Sequence, residues 1–382
     1  MQGLFSRLYP VQITYLISVY FTNALLLLWF SRMGISHREI LIFYLLMYGL
    51  AVASIAIFRS IQPRAYFVIG ICANIALFVI YAFFFKKEFL YLMSLLYAPV
   101  FLFFWINYNI AFFRGIDSNK KATGSALYAF AFSLLSAIMP VLAGYTAVKF
   151  GMPAVFYIGA AVMAVTLLLS FRIKAEAVHY RISNCLKCIK GVKTLIFLEG
   201  FWEHTTFIAI PLISLFFINE EIKLGAYLSY LGLTGAIASI FMAKFSDKAK
   251  KRKEFIFPLA IALAIATMLV CFGSNIYLWV AFTGLLYLIS PALKPFQTTV
   301  VLDNAKCGID QLMIAREFLL NLGRFCGIIV FIALTAMGFT KGSIFIAAIA
   351  MAFYPFVMKW KGHYKNSPKQ PVACHQPPTL DL

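Results

Sequence analysis

The feature that most constrains this chain is a series of long apolar runs that recurs along its whole length. Breaking the sequence where charged or turn-forming residues cluster leaves twelve such runs. A helix of about 20 apolar residues crosses the hydrocarbon core of a bilayer, and a helix satisfies its own backbone hydrogen bonds there. The sequence therefore predicts an all-α polytopic membrane protein with twelve transmembrane helices.

The twelve predicted spans, numbered in chain order, divide into six and six. They cover residues 11–30, 40–58, 65–85, 89–113, 125–148, 154–171, 194–218, 224–243, 255–273, 277–301, 317–338 and 343–360. We therefore expect an N-terminal six-helix bundle (1–171), a central cytoplasmic loop (172–193), a C-terminal six-helix bundle (194–360) and a tail (361–382). The tail is rich in proline and lacks an apolar run, so we expect it to be disordered.

Composition excludes the soluble classes of protein. Hydrophobic residues make up 63% of the chain and charged residues 12%, whereas soluble domains carry about 45–50% and about 25%. The net charge of +19 would favour a nucleic-acid partner in a soluble protein. Here the basic residues lie in the loops and the aromatic residues lie inside the apolar runs, so we expect a lipid bilayer as partner and no nucleic acid.

The distribution of basic residues predicts the orientation. With the N-terminus inside, 24 of the 33 Lys and Arg residues lie in inner segments, seven lie in outer loops and two lie within spans. Because Lys and Arg favour the cytoplasmic side, both termini are predicted to be cytoplasmic. The first apolar run is too long for the core of a signal peptide. Together with the short loops, this favours the inner (cytoplasmic) membrane of a prokaryote.

An internal repeat supports two related halves. The end of span 2, residues 49–58, and the end of span 8, residues 232–241, share several residues at a constant offset of 183. Many secondary transporters consist of two related six-helix halves with the binding site between them. We therefore expect two pseudo-symmetric bundles.

The loop after span 8 carries a family resemblance. Residues 243–252 read Ala-Lys-Phe-Ser-Asp-Lys-Ala-Lys-Lys-Arg, which resembles the Gly-x-x-x-Asp-(Arg/Lys)-x-Gly-(Arg/Lys)-(Arg/Lys) signature of the major facilitator superfamily. Asp247 and Lys248 match, while Ala243 and Lys250 replace the glycines. The corresponding loop of the first half, residues 59–64, lacks the acid. A basic cluster beside anionic lipid is the alternative interpretation.

This resemblance implies a fold and a gating role. It implies two bundles that alternate access to a central cavity lined by spans 1, 4, 7 and 10. Asp247 and Lys248 would then form a latch near the start of span 11, where the helix dipole favours negative charge. Arg316 and Glu317 would be the charged neighbours of that latch, and Arg324 on span 11 would be a packing and latch residue.

Span 5 carries a second, weaker resemblance. Met139-Pro140-Val141-Leu142-Ala143-Gly144 is similar to the Gly-Pro-x-x-Gly-Gly signature of antiporters in the superfamily, with Pro140 and Gly144 matching. This resemblance favours a gating role for the two residues and export as the direction of transport. Alternatively, proline and small residues here only permit a bend and close helix packing.

Ionisable residues within spans are the main candidates for chemistry, because a charge at the bilayer centre costs about 2.5 kcal/mol or more. They are Glu199, Glu203 and His204 on span 7, Lys294 on span 10 and Arg324 on span 11. Glu199 and Glu203 lie four residues apart, hence on one helix face, which suits a proton-coupling role. We add His204, which points to a neighbouring face, to the proton-coupling candidates. Alternatively, Glu199 simply neutralises Lys294 or Arg324.

The resemblance places Lys294 towards the substrate, opposite polar and aromatic groups of the first half. These candidates are Asn23 on span 1 and Trp105, Asn107 and Asn109 on span 4. Each Asn could instead only hold helices together. The lysine argues for an anionic or zwitterionic small molecule, whereas aromatic walls with a buried Glu argue for an amphipathic cation, so the substrate stays open.

We therefore predict a monomeric secondary active transporter that uses the proton gradient and needs no cofactor or metal. The alternative is a polytopic transferase or hydrolase that uses Glu199, Glu203 and His204, but the outer loops are too short to hold a head group. Seven scattered cysteines predict no disulfide framework. Cys185 and Cys188 have a metal-like spacing without a second pair, so we expect no zinc site.

Overall fold

A computed structural model describes residues 2–84, 86–115, 121–173, 177–248 and 252–362. Helical segments occupy all twelve predicted spans within these residues. Nine helices of the described part are long and apolar enough to cross a membrane. The chain is thus a multi-pass membrane protein, while the predicted tail lies almost wholly outside the described residues.

The spans keep their predicted numbers. Their helical segments are Gln2–Asn23 and Leu26–Arg32 (span 1), His37–Ile57 (span 2), Pro63–Val79 and Ile80–Phe84 (span 3), Leu90–Val100, Phe101–Ile106 and Asn107–Gly115 (span 4), Lys121–Phe150 (span 5), Met152–Ser170 (span 6), Lys193–His204, Thr205–Ala209 and Ile210–Ser214 (span 7), Glu221–Lys248 (span 8), Arg252–Val270 (span 9), Ile276–Asn304 (span 10), Ile309–Ala336 (span 11) and Gly342–Trp360 (span 12). Ile80–Phe84, Phe101–Ile106 and Thr205–Ala209 are π-helical. A short 3-10 turn, Lys87–Phe89, precedes span 4.

Local sequence explains where several spans begin. Ser36 and Glu39 form a reciprocal capping box at the start of span 2, which satisfies two backbone N–H groups that the helix leaves free. The Asn275 side chain accepts a hydrogen bond from the Leu278 backbone at the start of span 10. Gly151 has a φ of 83° between spans 5 and 6, a conformation that glycine adopts without the steric cost of a side chain.

The central loop pairs with the first half of the chain. Strand β1, Ser60–Ile61, follows span 2, and strand β2, Val178–His179, belongs to the central loop. The two strands are antiparallel, with Ser60 opposite His179. The end of the bundle that carries the two strands, the central loop and the loop between spans 10 and 11 is called the central-loop face, and the other end is called the opposite face.

The central loop is also bound to the second half. Its short helix, Ile182–Cys188, ends in a disulfide between Cys188 and Cys307 of the loop after span 10, with the Cα atoms 5.6 Å apart. The expectation that the cysteines form no disulfide is therefore wrong for this pair. A separation of 119 residues hides the pairing in the sequence, because only the return of span 10 to the central-loop face brings the two thiols together.

The two halves meet chiefly along spans 5 and 8 and along spans 2 and 11. Within the second half, spans 7 and 11 approach so closely that their glycines face each other's backbone. A Cβ atom on Gly200 would lie 2.3 Å from the Leu320 carbonyl oxygen, and one on Gly323 would lie 2.5 Å from the Phe197 carbonyl oxygen. Small residues permit such approach between membrane helices, and here it brings the acids of span 7 against the arginines of span 11.

This contact yields a test of the fold. Gly323→Ala should destabilise the purified protein by about 1–3 kcal/mol, because the new methyl group forces the two backbones apart. Thermal unfolding in detergent measures the change. Gly308→Ala at the start of span 11 is the matched control, since nothing lies within 4 Å of a Cβ atom there. Equal unfolding midpoints for the two variants would contradict the close contact.

Candidate functional site

Six charged side chains of the second half form one group between spans 7, 10 and 11, here called the charge cluster. Its members are Glu199, Glu203, Lys294, Arg316, Glu317 and Arg324. Three carboxylates and three cations make the cluster neutral as a whole. A neutral cluster lowers the cost of placing charge within membrane spans, since each member has a partner of opposite sign.

Glu203 lies at the centre of the charge cluster and has two cationic partners. Arg324 donates to Glu203 Oε2 from Nε at 2.9 Å and from Nη2 at 2.5 Å. Lys294 Nζ forms an ion pair with the other oxygen, Oε1. The Glu203 side chain is only 2% exposed and that of Arg324 9%, whereas that of Lys294 is 42% exposed. Lys294 is therefore the accessible partner of this buried carboxylate.

Glu199 has a different partner from those considered in the sequence analysis. Arg316 Nη2 donates to Glu199 Oε1 at 2.8 Å. Arg316 therefore neutralises this acid in place of Lys294 or Arg324. The second carboxylate oxygen of Glu199 is buried and has no hydrogen-bond partner within the described residues. Arg316 also lies 3.9 Å from Glu317, which links the two acids through one guanidinium.

Two contacts join the charge cluster to the first half. The Asn109 side chain of span 4 donates to Glu317 Oε1 at 3.3 Å, and the Tyr48 ring of span 2 lies 5.7 Å from the Arg324 guanidinium. Asn321 completes the network, since it accepts from Arg324 at 3.1 Å and donates to the Glu317 backbone oxygen at 2.7 Å. The first half thus contributes neutral groups, while the predicted substrate-binding role of Asn109 stays a prediction.

An aromatic side chain covers the cations. The Phe207 ring centroid lies 5.8 Å from Lys294 Nζ and 5.3 Å from the Arg324 guanidinium, distances at which a cation is attracted to a ring face. Sequence reasoning missed Phe207 and Tyr48. With 40 Phe and 20 Tyr residues in the chain, composition carries no signal that marks these two.

The backbone around Glu203 is irregular. A π-helical segment, Thr205–Ala209, begins two residues after it, and π-helical turns inside α-helices occur often at functional sites. Tyr287 of span 10 donates to the Thr206 carbonyl oxygen at 2.9 Å. This hydrogen bond links the π-helical turn of span 7 to span 10. Span 10 is a continuous α-helix with Pro291 and Pro295 on either side of Lys294, and neither proline has a backbone N–H to donate within the helix.

His204 lies apart from the charge cluster. It is fully buried and points at span 11, where a Cβ atom on Gly327 would lie 2.3 Å from its Nδ1. Its Nδ1 contacts the Phe201 carbonyl oxygen, and its Nε2 has no hydrogen-bond partner among the described residues. The structure therefore places His204 beside the helix interface, while its predicted proton-coupling role stays a prediction.

The other predicted binding residues lie outside the charge cluster. Asn23 donates to the Tyr97 hydroxyl at 3.1 Å, and Asn107 donates to the Phe103 carbonyl oxygen of its own helix at 2.8 Å. Trp105 packs in an aromatic group with Tyr15, Phe104, Tyr108 and Phe132. For Asn107 the contacts favour a structural role, because its side-chain amide donates to a carbonyl oxygen of the π-helical turn of span 4.

An ion pair joins the two halves at the central-loop face. Arg114 at the end of span 4 donates from Nε to Asp310 Oδ1 at 2.6 Å and also pairs with Oδ2. Arg316 and Glu317, predicted as neighbours of the latch, and Arg324, predicted as a packing and latch residue, belong to the charge cluster, and their gating roles stay predictions. The side chains of Asp247 and Lys248 lie outside the described part of the chain, so their latch role stays a prediction.

A second ion pair joins the halves at the opposite face. Arg32 at the end of span 1 pairs with Glu221 at the start of span 8. Close by, the His37 ring stacks on Phe216 with centroids 4.7 Å apart. Sequence reasoning missed both inter-half ion pairs, because it considered only charges inside spans and the loop signature.

Pro140 and Gly144 lie where span 5 meets span 8. A Cβ atom on Gly144 would be 2.6 Å from the Glu221 carbonyl oxygen, and one on Gly225 would be 2.4 Å from the Pro140 carbonyl oxygen. The spans therefore touch backbone to backbone at these residues. This geometry agrees with the packing interpretation of the span 5 motif, and the contact crosses the boundary between the two halves.

Known proteins resemble this chain in sequence and in fold. A sequence profile of the Major Facilitator Superfamily matches residues 116–305, about half of the chain. No curated protein sequence matches the chain. The fold is similar to that of the human organic anion transporter MFSD10 (TETRAN), with 13% identity, a TM-score of 0.66, and 94% of this chain and 99% of that chain covered.

A second solved structure agrees with the first. It is a POT family transporter in complex with a thioalcohol-conjugated peptide, with 11% identity, a TM-score of 0.72, and 94% of this chain and 96% of that chain covered. The alternative of a membrane enzyme built on Glu199, Glu203 and His204 is therefore wrong. The matched profile and the fold together show that the chain is a membrane transporter of the major facilitator superfamily.

Proposed function

We propose that the protein is a secondary active transporter that moves a small organic anion together with a proton. The observation that carries this proposal is the unequal exposure of the two cations on Glu203. Lys294 is 42% exposed and Arg324 is 9% exposed. A substrate carboxylate or similar anion can therefore reach Lys294 and replace Glu203 as its partner, while Arg324 stays bound to Glu203.

The same geometry supports proton coupling. When Lys294 turns to a substrate anion, Glu203 keeps only Arg324, and a proton on Glu203 removes its attraction for Lys294. Loss of that proton restores the Glu203–Lys294 ion pair and displaces the substrate. A ligand shifts a conformational equilibrium only through its different affinity for the two states. Here the proton and the anion favour the same rearrangement, so they travel together.

Direction follows from this coupling. A proton and an anion that bind together move inward along an inward proton gradient, which favours uptake. Export, the direction suggested by Pro140 and Gly144, is the alternative, and it would suit an amphipathic cation that competes with protons for Glu203. The charge cluster favours the anion, because Glu203 already has two cationic partners. The human transporter of similar fold is named as an organic anion transporter, and this name agrees with an anionic substrate.

The two inter-half ion pairs suit alternating access. We propose that Arg114–Asp310 opens when substrate enters or leaves at the central-loop face, and that Arg32–Glu221 opens when it does so at the opposite face. We further place the central-loop face in the cytoplasm, as the distribution of basic residues suggests, and the protein in the inner membrane as a monomer without a nucleic-acid partner or a bound cofactor.

The substrate class is tested first by ligand-induced stabilisation. A ligand at 100 times its Kd raises the free energy of unfolding by about 2.7 kcal/mol. Organic anions should therefore stabilise the purified wild-type protein in thermal unfolding, and this effect should vanish in Lys294→Gln. The control is Lys223→Gln, which breaks an exposed pair with Glu220 at the opposite face and should respond like the wild type. Stabilisation by lipophilic cations alone would favour the antiport alternative.

The proton pathway is tested by Glu203→Gln in proteoliposomes that contain a pH-sensitive dye. Substrate-driven proton movement should fall to background, because the amide cannot carry a proton, while substrate exchange without a gradient should persist. Glu220→Gln makes the same chemical change at an exposed position and should keep proton movement. Normal coupling in Glu203→Gln would exclude Glu203 as the proton carrier.

Removing one partner of a buried ion pair can destabilise a protein by about 3–5 kcal/mol. For this reason the double variant Glu203→Gln/Arg324→Gln accompanies the single one, since it keeps the buried charges balanced. A folded double variant without proton coupling separates the loss of the carrier from a loss of folding.

The gate at the central-loop face is tested by exchanging its charges. Arg114→Asp should slow transport by up to about fivefold, because an exposed ion pair contributes up to about 1 kcal/mol. The reversed pair Arg114→Asp/Asp310→Arg should recover most of the rate. Failure of the reversed pair to recover the rate, with normal folding, would show that the attraction between the two side chains is not what matters.

A further inference from the structure

We propose that a basic cavity at the central-loop face binds the phosphate head group of an anionic phospholipid. The cavity has a volume of about 340 Å³ and lies between the end of span 2 and the start of the central-loop helix. It is lined by Ala56, Phe58, Arg59, Arg181, Ile182 and Ser183. It lies apart from the charge cluster, and the transport mechanism proposed above does not use it.

The backbone holds the two arginines of the cavity in place. The Tyr180 N–H donates to the Arg59 carbonyl oxygen at 2.8 Å, which extends the pairing of β1 and β2 by one residue. The Tyr180 side chain is buried, and its hydroxyl donates to the Ile55 carbonyl oxygen at 3.0 Å. Arg59 and Arg181 therefore start from a backbone that is fixed on both sides of the cavity.

The charges of the cavity are not balanced by carboxylates of the described residues. Within the part of the chain that the structure describes, neither Arg59 nor Arg181 forms an ion pair with a carboxylate. Two guanidinium groups around one cavity repel each other unless an anion lies between them. A guanidinium presents a planar set of N–H donors that matches phosphate oxygens in a two-point contact. The chemistry of the cavity thus fits a phosphate group.

The surroundings of the cavity favour a lipid over a soluble anion. Ile57 is 73% exposed and Phe58 is 39% exposed, and both belong to the end of a transmembrane span. This is the level at which head groups meet acyl chains, and basic pockets at such positions bind phosphorylated lipid head groups. A lipid would place its phosphate between the arginines and cover Ile57 and Phe58, whereas free phosphate would leave both exposed.

Native mass spectrometry of the purified protein tests this assignment, with dioleoyl phosphatidylglycerol titrated into the detergent. The variant Arg59→Gln/Arg181→Gln should bind this lipid about thirtyfold more weakly than the wild type, since each basic residue near a membrane surface contributes about a factor of five. Both arginines are exposed, so its thermal unfolding without added lipid should match that of the wild type. That match separates loss of binding from loss of folding.

The matched control removes two exposed charges elsewhere on the same face, at the end of span 12, through Lys359→Gln/Lys361→Gln. Wild-type affinity in this control, together with the loss in Arg59→Gln/Arg181→Gln, supports the proposal. Equal losses in both variants would overturn it in favour of a diffuse attraction to positive charge. Sodium phosphate that stabilises the wild type as strongly as the lipid does would overturn the assignment to a lipid.

Discussion

The burial of one carboxylate between two cations is the interaction on which the rest of the structure depends. An isolated charge at this depth would be expelled or neutralised, so Glu203 requires Arg324 and Lys294 within hydrogen-bonding distance. That requirement explains why spans 7 and 11 touch backbone to backbone at Gly200 and Gly323. A larger residue at either position would separate the arginine from its acid.

The charge cluster is asymmetric, although the chain consists of two similar halves. All six of its charges belong to the second half, and the first half contributes Tyr48 and Asn109, which are neutral. In the mechanism that we propose, the halves separate on one face, and all six charged side chains stay within the second half while their surroundings change from protein to water. The strength of each ion pair changes with the polarity around it. Under this proposal, alternating access alters the proton affinity of the cluster without moving a single charged side chain from one half to the other.

Much of this arrangement could be predicted from the sequence, and the limits have a physical cause. Long apolar runs identified the spans, and the rarity of ionisable residues within them singled out Glu203 and Lys294 as candidate site residues. The partner Arg324 was assigned elsewhere, because the resemblance places span 11 outside the cavity lining. Which face of a helix meets which neighbour depends on rotation and crossing angle, and these follow from packing over the whole bundle.

The same limit applies to the pairs between the halves. Arg114 and Asp310 are separated by 196 residues, and each is an ordinary residue at the end of a helix when seen alone. Asp247 shows the converse, since its loop signature was visible in the sequence while the structure leaves its side chain undescribed. A local motif in the sequence indicates a family. A functional pair of residues on different helices can be recognised only once the positions of those helices are known.

The disulfide between Cys188 and Cys307 has a mechanical consequence. It closes a covalent ring that contains spans 7, 8, 9 and 10, and the 119 residues of separation correspond to about 400 Å of extended chain. A force applied to the two termini would therefore stretch the first half and the last two spans, but it could not extend the ring. In a pulling experiment the fully stretched protein would be shorter by that length until a reductant broke the disulfide.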